Sequence, residues 1–374
     1  MGDPACILFV ENAAEIGGGN RSLLLLLDHL DRRRFSPLVA CPARGAMTNE
    51  LDARGVEYRV IPKAPPRRFW PFPFLQAVRE YRRVIESERV RLVHVNDVAA
   101  YLWVGRACRS NPLPVICHVR FPYTDAGLSY LARQTRRPDI LLYNSEFMVR
   151  DLGFLAERHM PGAERMVLHN AVDTAVFAPA ASPRAEAADG GPVVAIIANF
   201  TPMKDHETFL RMAAEVHRKA LHALFWLAGT DVLFGGSREA ELKALAAELG
   251  IEQAAHFLGF IADVPRLLAG CELVVCTSRI EPFGRCVLEA MACGKPVVAS
   301  RVGGIPEIVG HDGAGVLLEP GDIQGFADEV GRLLDDPKRR AEMGAAGRRR
   351  AVENFGVEAH MKKLESLYGT LLAS

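Results

Sequence analysis

Two doubly wound α/β domains in tandem are what this sequence predicts, and three observations predict them. A length of 374 residues exceeds what one ordinary hydrophobic core supports. Short apolar runs alternate with segments of helical period from the start of the chain, the pattern of parallel strands joined by crossover helices. The alternation stops once, at Ala178–Pro192, an Ala-, Pro- and Gly-rich stretch without periodicity, and then restarts. The division that follows is a first domain at residues 1–180, a linker at 181–192, a second domain at 193–354 and a terminal helix at 355–374.

Ala5–Val10 opens the chain with an unbroken apolar run, short enough for a strand buried on both faces. A glycine loop at Gly17–Ser22 precedes a leucine-rich helix from Leu23 to Leu30. Pro37–Cys41 and Tyr58–Ile61 read as strands around a helix at Met47–Arg54. A helix near Leu75–Glu86 leads to a strand at Leu92–Asn96, and Ala99–Cys108 is again helical. Pro114–His118 and Ile140–Tyr143 complete the first set of strands. The second set is Val193–Ile197, Leu224–Leu227, Ala255–Leu258, Leu273–Cys276 and Pro296–Ala299. Helices between them are expected at Asp205–Arg218, Arg238–Leu249 and Arg285–Cys293, the last stopped by Gly294; from Gly321 the chain is helical, and basic in Lys338–Arg350. Sheets of this kind bind ligands at the carboxyl ends of their strands, here in a cleft between two domains.

Half of the residues are hydrophobic and a quarter charged, an ordinary globular composition. The net charge is zero, so no nucleic-acid partner is expected. Lys and Arg outnumber Asp and Glu by 25 to 19 up to Arg184 and are outnumbered 20 to 26 beyond it, which makes the first half the face for anionic partners. The eight cysteines show no C-x-x-C or metal-finger spacing and sit mostly in apolar runs, as buried free thiols in a reduced, cytoplasmic setting would. Ile7–Val10 is too short for a signal core, no eighteen apolar residues run together, and Met1–Cys6 lacks the myristoylation pattern.

The chemistry concentrates at Glu281-Pro-Phe-Gly-Arg-Cys-Val-Leu-Glu289, where two carboxylates bracket a loop that runs into a helix. Free backbone N–H groups at a helix entrance favour an anion or sugar oxygens, and Gly284 lets a ligand approach the backbone. Glutamates at this spacing lie roughly 10–12 Å apart, about the span of a nucleotide-sugar. Gly17-Gly18-Gly19, between the first strand and first helix, is either a tight turn or a phosphate loop. Lys204 follows a strand end just before a helix, where it is either a surface lysine or a cation for a diphosphate. His118 ends a strand and Arg120 follows on the same face; a histidine there is either structural or able to donate to a sugar oxygen. Arg67–Phe74, followed by Arg79, Arg82 and Arg83, mixes aromatics with cations, as an interfacial loop and helix on an anionic membrane would; an amphipathic surface helix has the same pattern. There is no D-x-D pair, H-E-x-x-H or Walker A loop, so a metal-independent reaction without cofactor is expected.

The stretch Glu281-Pro-Phe-Gly…Glu289-Ala-Met-Ala-Cys-Gly-Lys-Pro-Val-Val-Ala-Ser300 resembles the E-x7-E motif of the retaining glycosyltransferases of the group 1 / family 4 superfamily. Gly17–Gly19, His118, Asn144-Ser-Glu-Phe147, His169-Asn-Ala-Val-Asp173, Lys204 and Gly303-Gly-Ile-Pro-Glu307 resemble further family motifs in the same order, so the likeness covers nearly the whole chain. The resemblance implies a GT-B fold, two Rossmann-like domains facing across a cleft, with the terminal helix 355–374 packing back on the first. It implies transfer of a hexose from a nucleotide-sugar to a glycan, lipid-linked or small-molecule acceptor, in the cytoplasm or peripherally at the inner face of the membrane. By the same resemblance Glu281 holds donor hydroxyls and Glu289 the ribose diol. Backbone amides of Phe283, Gly284, Arg285 and Cys286 meet the sugar and distal phosphate, as Gly18 and Gly19 do on the other side. Phe260 or Ile261 flanks the base, Arg120 and Asn144 stand on the acceptor side, and His118, Lys204 and Glu281 carry catalysis. The family's Gly-Arg-Leu is Ala198-Asn199-Phe200 here, so Asn199 stands where a phosphate-binding arginine is usual; its Asn-Gly-Val-Asp is Asn170-Ala-Val-Asp173. An epimerase on the same scaffold, or a non-catalytic nucleotide-sugar-binding partner, are the competing readings.

Overall fold

The structure is a computed structural model that describes residues 3–63, 72–180, 191–219, 222–231 and 235–373. The aromatic and basic stretch Arg67–Pro71 and residues 181–190 of the expected linker lie outside the described residues. The chain forms two compact units, one of residues up to Ala171 together with those from Val357 onward, the other Val172–Gly356.

The first unit is built on seven parallel strands: β1 (Ala5–Val10), β2 (Phe35–Cys41), β3 (Tyr58–Val60), β4 (Leu92–Val95), β5 (Val115–Val119), β6 (Ile140–Tyr143) and β7 (Glu164–Val167), in the order β3-β2-β1-β4-β5-β6-β7. β1 pairs on both sides, and the continuous apolar run Ile7–Val10 is accordingly fully buried. One face of the sheet is covered by the helices Gly18–His29 and Val357–Ala373, which close a core of Ile7, Phe9, Leu23, Ile116, Leu364 and Tyr368.

The second unit has six parallel strands, β8 (Val193–Ile197), β9 (Leu224–Ala228), β10 (Ala255–Gly259), β11 (Leu273–Cys276), β12 (Val297–Ser300) and β13 (Val316–Leu318), in the order β10-β9-β8-β11-β12-β13. Each sheet reverses direction of growth beside its first strand, at β1/β4 and β8/β11, and the loops leaving those carboxyl ends form the crevice in which such sheets bind ligands.

Three features differ from the sequence expectation. The first helix starts at Gly18, so Gly18 and Gly19 form its first turn instead of a loop. The Gly17 N–H donates to Asn20 Oδ1 (2.8 Å), a local tie that offsets the poor helix propensity of glycine. The strands β7 and β13 were not expected; β7 lies at a sheet edge, carries Glu164 and Arg165, and lacks a long apolar run. The helices Asp125–Gln134, Glu146–His159, Val264–Ala269 and Ile305–Val309 were also not expected, although the caps of the first two are legible: Thr124 accepts from the Gly127 N–H (3.1 Å) and Ser145 from Met148 (3.2 Å).

Candidate active site

In the second unit two loops meet beside the β8/β11 switch. Lys204 ends a short turn, Pro202–Lys204, after β8, and Asp205 follows in the left-handed region (φ 49°), unusual for a residue other than glycine. The strain is held by a clamp. Thr277, just past β11, donates through Oγ1 to the carbonyls of Lys204 (3.1 Å) and Asp205 (2.9 Å). Arg279 pairs with the Asp205 carboxylate (2.8 Å), and its N–H donates to the Met203 carbonyl (2.8 Å). The clamp delivers the Lys204 ammonium to the Glu281 carboxylate, with which it forms a hydrogen-bonded ion pair; Ser278 Oγ also donates to that carboxylate (3.4 Å). Burial works to lower the Lys204 pKa, but the adjacent Glu281 carboxylate outweighs it and holds the lysine above its ordinary value.

The second carboxylate is organised by its own helix. Gly284 caps the helix Arg285–Ala292 at φ 114°, and a Cβ there would come within 3.1 Å of Ile305 and 3.3 Å of Ile308. Arg285 and Glu289, one turn apart on that helix, form an ion pair (2.7 Å) with Glu289 only 6% exposed. The first-turn N–H groups have no acceptor within the helix, so Arg285 and Cys286 begin it with donors facing outward along the axis. The Cys286 thiol meets that of Cys276, a contact that together with burial holds Cys286 well above the usual thiol pKa. Phe283 is buried at 2% and packs edge-on against Phe355 (6.2 Å). Asn199 is exposed and accepts from the Thr230 N–H (3.4 Å), while Phe260 and Ile261 follow β10, Phe260 being 61% exposed. The structure thus places Lys204, Glu281, Arg285 and Glu289, all singled out in the sequence for ligand contacts, in two ion pairs with one another; the clamp of Thr277, Arg279 and Asp205 was missed, because no local pattern marks it.

In the first unit the carboxyl ends of β1, β4 and β5 carry a buried polar network. Arg120 is 5% exposed; its Nε donates to the Asn96 carbonyl (2.8 Å) and Oδ1 (3.0 Å), Nη1 to Asn170 Oδ1 (2.8 Å) and Nη2 to Asn96 Oδ1 (2.8 Å). Asn96 in turn donates to Glu11 (2.7 Å) and to the Gly19 carbonyl (3.1 Å), which ties the glycine turn to the network. Asn144 is buried, donates to the Arg120 carbonyl (3.4 Å), and leaves its Oδ1 without a hydrogen bond. His118 is buried at 2%, and Nε2 has no partner among the described residues. Burial and the Arg120 charge push its pKa well below the usual histidine value, so the ring is neutral. Among the described residues no three His, Cys, Asp or Glu side chains are grouped to hold a metal ion.

Two Rossmann-like units of the 3-2-1-4-5-6 kind, with anion-compatible helix entrances at their strand ends, define the GT-B fold. The chain belongs to the group 1 / family 4 glycosyltransferases: the model for "Glycosyltransferase Family 4" matches residues 16–176 and that for "Glycosyl transferases group 1" residues 179–350. It is 33% identical over 294 residues to the D-inositol 3-phosphate glycosyltransferase of Saccharomonospora viridis, covering 73% of this chain and 68% of that protein. The corresponding protein of Salinispora tropica is 35% identical over 240 residues, covering 60% of this chain and 50% of its own length; the chain spans about half the length of several curated relatives it matches. Anabaena HepE, solved with UDP and glucose, superimposes with a TM-score of 0.84 at 26% identity, covering 97% of this chain and 99% of that one.

Proposed function

We propose that the protein is a retaining glycosyltransferase that moves a hexose from a nucleotide-sugar to a hydroxyl acceptor without a metal ion. The observation that carries this reading is the Lys204–Glu281 ion pair beside the Arg285–Glu289 pair at one sheet switch point. A sugar hydroxyl can replace Lys204 on Glu281, and the freed ammonium can meet the diphosphate, so one binding event converts an internal ion pair into two ligand contacts. Glu289 receives the ribose diol, first-turn amides of Gly284, Arg285 and Cys286 receive the distal phosphate, and Phe260 or Ile261 flanks the base. The Lys204 cation supplies the charge stabilisation that a metal would otherwise give the leaving diphosphate. The retained configuration arises by front-face attack, the leaving phosphate taking the acceptor's proton, with His118 donating to the hexose.

The test is transfer measured by mass shift with UDP-, GDP- and ADP-hexoses against glycan, inositol and lipid-linked acceptors, in EDTA. UDP-glucose and GDP-mannose are the first donors to try, because HepE was solved with UDP and glucose and two relatives are named as GDP-mannose-dependent. Product with the donor's α-configuration is expected, at a rate unchanged by EDTA. Failure to bind any nucleotide-sugar in a thermal-shift screen would remove the reading.

Peripheral contact with an anionic membrane belongs to the same proposal. Along the helix Phe72–Ser87, Arg79, Arg82 and Arg83 are exposed on the side opposite the buried Phe74, Ala77, Val78 and Tyr81, and Phe72 is 64% exposed at its start. Among the described residues no helix is long and apolar enough to cross a membrane; the contact proposed is interfacial, through this helix face. Sedimentation with phosphatidylglycerol vesicles is expected to pull the protein down, and the triple variant R79E/R82E/R83E to weaken it by at least about 100-fold, at about 1 kcal/mol per basic residue. Equal binding of both proteins would remove this part.

A further inference from the structure

The hydrogen-bond roles around His118 can be assigned one by one, because one member of the network has no freedom of role. Arg120 Nη2 lies 3.3 Å from His118 Nδ1, and a guanidinium only donates. His118 Nδ1 is therefore the acceptor, and the ring's single proton sits on Nε2. His94 Nε2 also points at His118 Nδ1, at 3.3 Å, and must be the donor of that contact. His94 then carries its own proton on Nε2, which leaves its Nδ1 as an acceptor. Tyr368 Oη, 2.6 Å from that Nδ1, donates to it. The chain of donors runs from Tyr368 to His94 to His118, joined by Arg120, and ends on the buried Nε2–H of His118, which has no partner among the described residues.

The fold builds this arrangement from distant parts. His94 is on β4 and His118 at the end of the neighbouring β5, their rings stacked at 5.5 Å. Tyr368 comes from the terminal helix Val357–Ala373, where its ring meets Phe35 (5.6 Å) and His94 (5.8 Å) edge-on. His360 on the same helix is held by the His169 carbonyl (2.9 Å) and lines a small cavity with His118, Arg120, Asn170 and Ser22.

We propose that Tyr368 and His94 are positioning residues that, with Arg120, lock His118 as a neutral donor with its proton on Nε2. His118 can then give a hydrogen bond to a sugar oxygen but cannot accept a proton there, so it works as a fixed donor and not as a general base. This rests on the glycosyltransferase reading for its consequence, but not for its geometry. The groups facing His118 are Arg120, His94 and His360, with Glu11 and Asp97 acting on Arg120; burial and the neighbouring cation keep all three histidines neutral.

Long-range 1H–15N correlation spectra of 15N-histidine-labelled full-length protein test the assignment without any substrate. His118 and His94 are both expected as neutral Nε2–H tautomers, unchanged between about pH 5.5 and 8.5, across which an ordinary histidine titrates. Tyr368→Phe removes only the hydroxyl and is expected to give a mixed tautomer at His94. It should lower kcat for transfer about 3- to 10-fold, the rate equivalent of one hydrogen bond, with donor KM little changed. His94→Gln, which keeps a donor at the end of its side chain, should retain more activity than His94→Phe. An Nδ1–H tautomer at His118, or its titration within that range, overturns the proposal. So does an unchanged kcat in Tyr368→Phe, or equal activity in the two His94 variants. If no donor supports transfer at all, the transferase reading fails while the tautomer assignment is still decided by the spectra.

Discussion

Replacing Lys204 by alanine is expected to lower kcat for sugar transfer by about 10²- to 10³-fold, the usual loss when one preorganised donor is removed from a developing negative charge. The size follows from how few other cations are available. Asn199 offers only a neutral amide, and Arg285 is held by Glu289 at 2.7 Å. Lys204 is also not free to wander: Thr277 holds its carbonyl, Arg279 holds Met203 and Asp205 on either side, and Glu281 holds its ammonium. The preorganisation is thus already present without ligand, which is the condition under which such charge is most effective. Because Glu281 keeps the lysine pKa above its ordinary value, no loss of activity on the alkaline side up to about pH 9 should trace to this group.

Glu281→Ala should fall comparably, and the double variant should lose much less than the product of the two, since each residue is the other's partner in the free enzyme. Full additivity would mean that the pair acts at separate steps. A drop seen only in KM would mean that Lys204 binds substrate and transition state equally.

What could be read beforehand follows the physics of each element. β6, β8 and β11 fall where their apolar runs lie, at Ile140–Tyr143, Val193–Ile197 and Leu273–Cys276, because strands buried on both faces carry an uninterrupted signal. β7 does not, because an edge strand with Glu164 and Arg165 looks like a loop. Lys204 and Glu281 were legible through local spacing and motif. Their support was not: Asp205, Thr277 and Arg279 are ordinary residues whose roles exist only once β8 and β11 pair. The same holds for Tyr368, which reaches His94 across 274 positions of sequence. Long-range hydrogen bonds leave no period in a chain, so the residues that hold a buried polar side chain in place are the ones a sequence hides best.

The glycine loop after β12 shows how tightly one such support is built, and Gly303→Ala is expected to be the most damaging single methyl group in the second unit. Gly303 sits at φ 57°, and a Cβ there would lie 1.7 Å from the Glu281 carbonyl oxygen and 2.7 Å from its carbon. The next residue holds the same oxygen, the Gly304 N–H donating to it at 3.1 Å. Alanine must therefore both adopt a left-handed backbone and push Glu281 off its position. Together these cost about 2–5 kcal/mol of stability. The displacement also carries the Glu281 carboxylate away from Lys204, and a misplacement of about 1 Å is enough for a 10²-fold loss of kcat/KM. Gly250→Ala separates the two causes: Gly250 has a similar φ of 70°, but a Cβ there meets nothing within 4 Å. That variant should cost only about 1–2 kcal/mol from the backbone alone and leave kcat/KM unchanged. Chemical denaturation and initial rates on both variants check the comparison. If the two lose stability equally and both keep full activity, the Gly303 loop does not position Glu281, and the ion pair must be held by the Lys204 side alone.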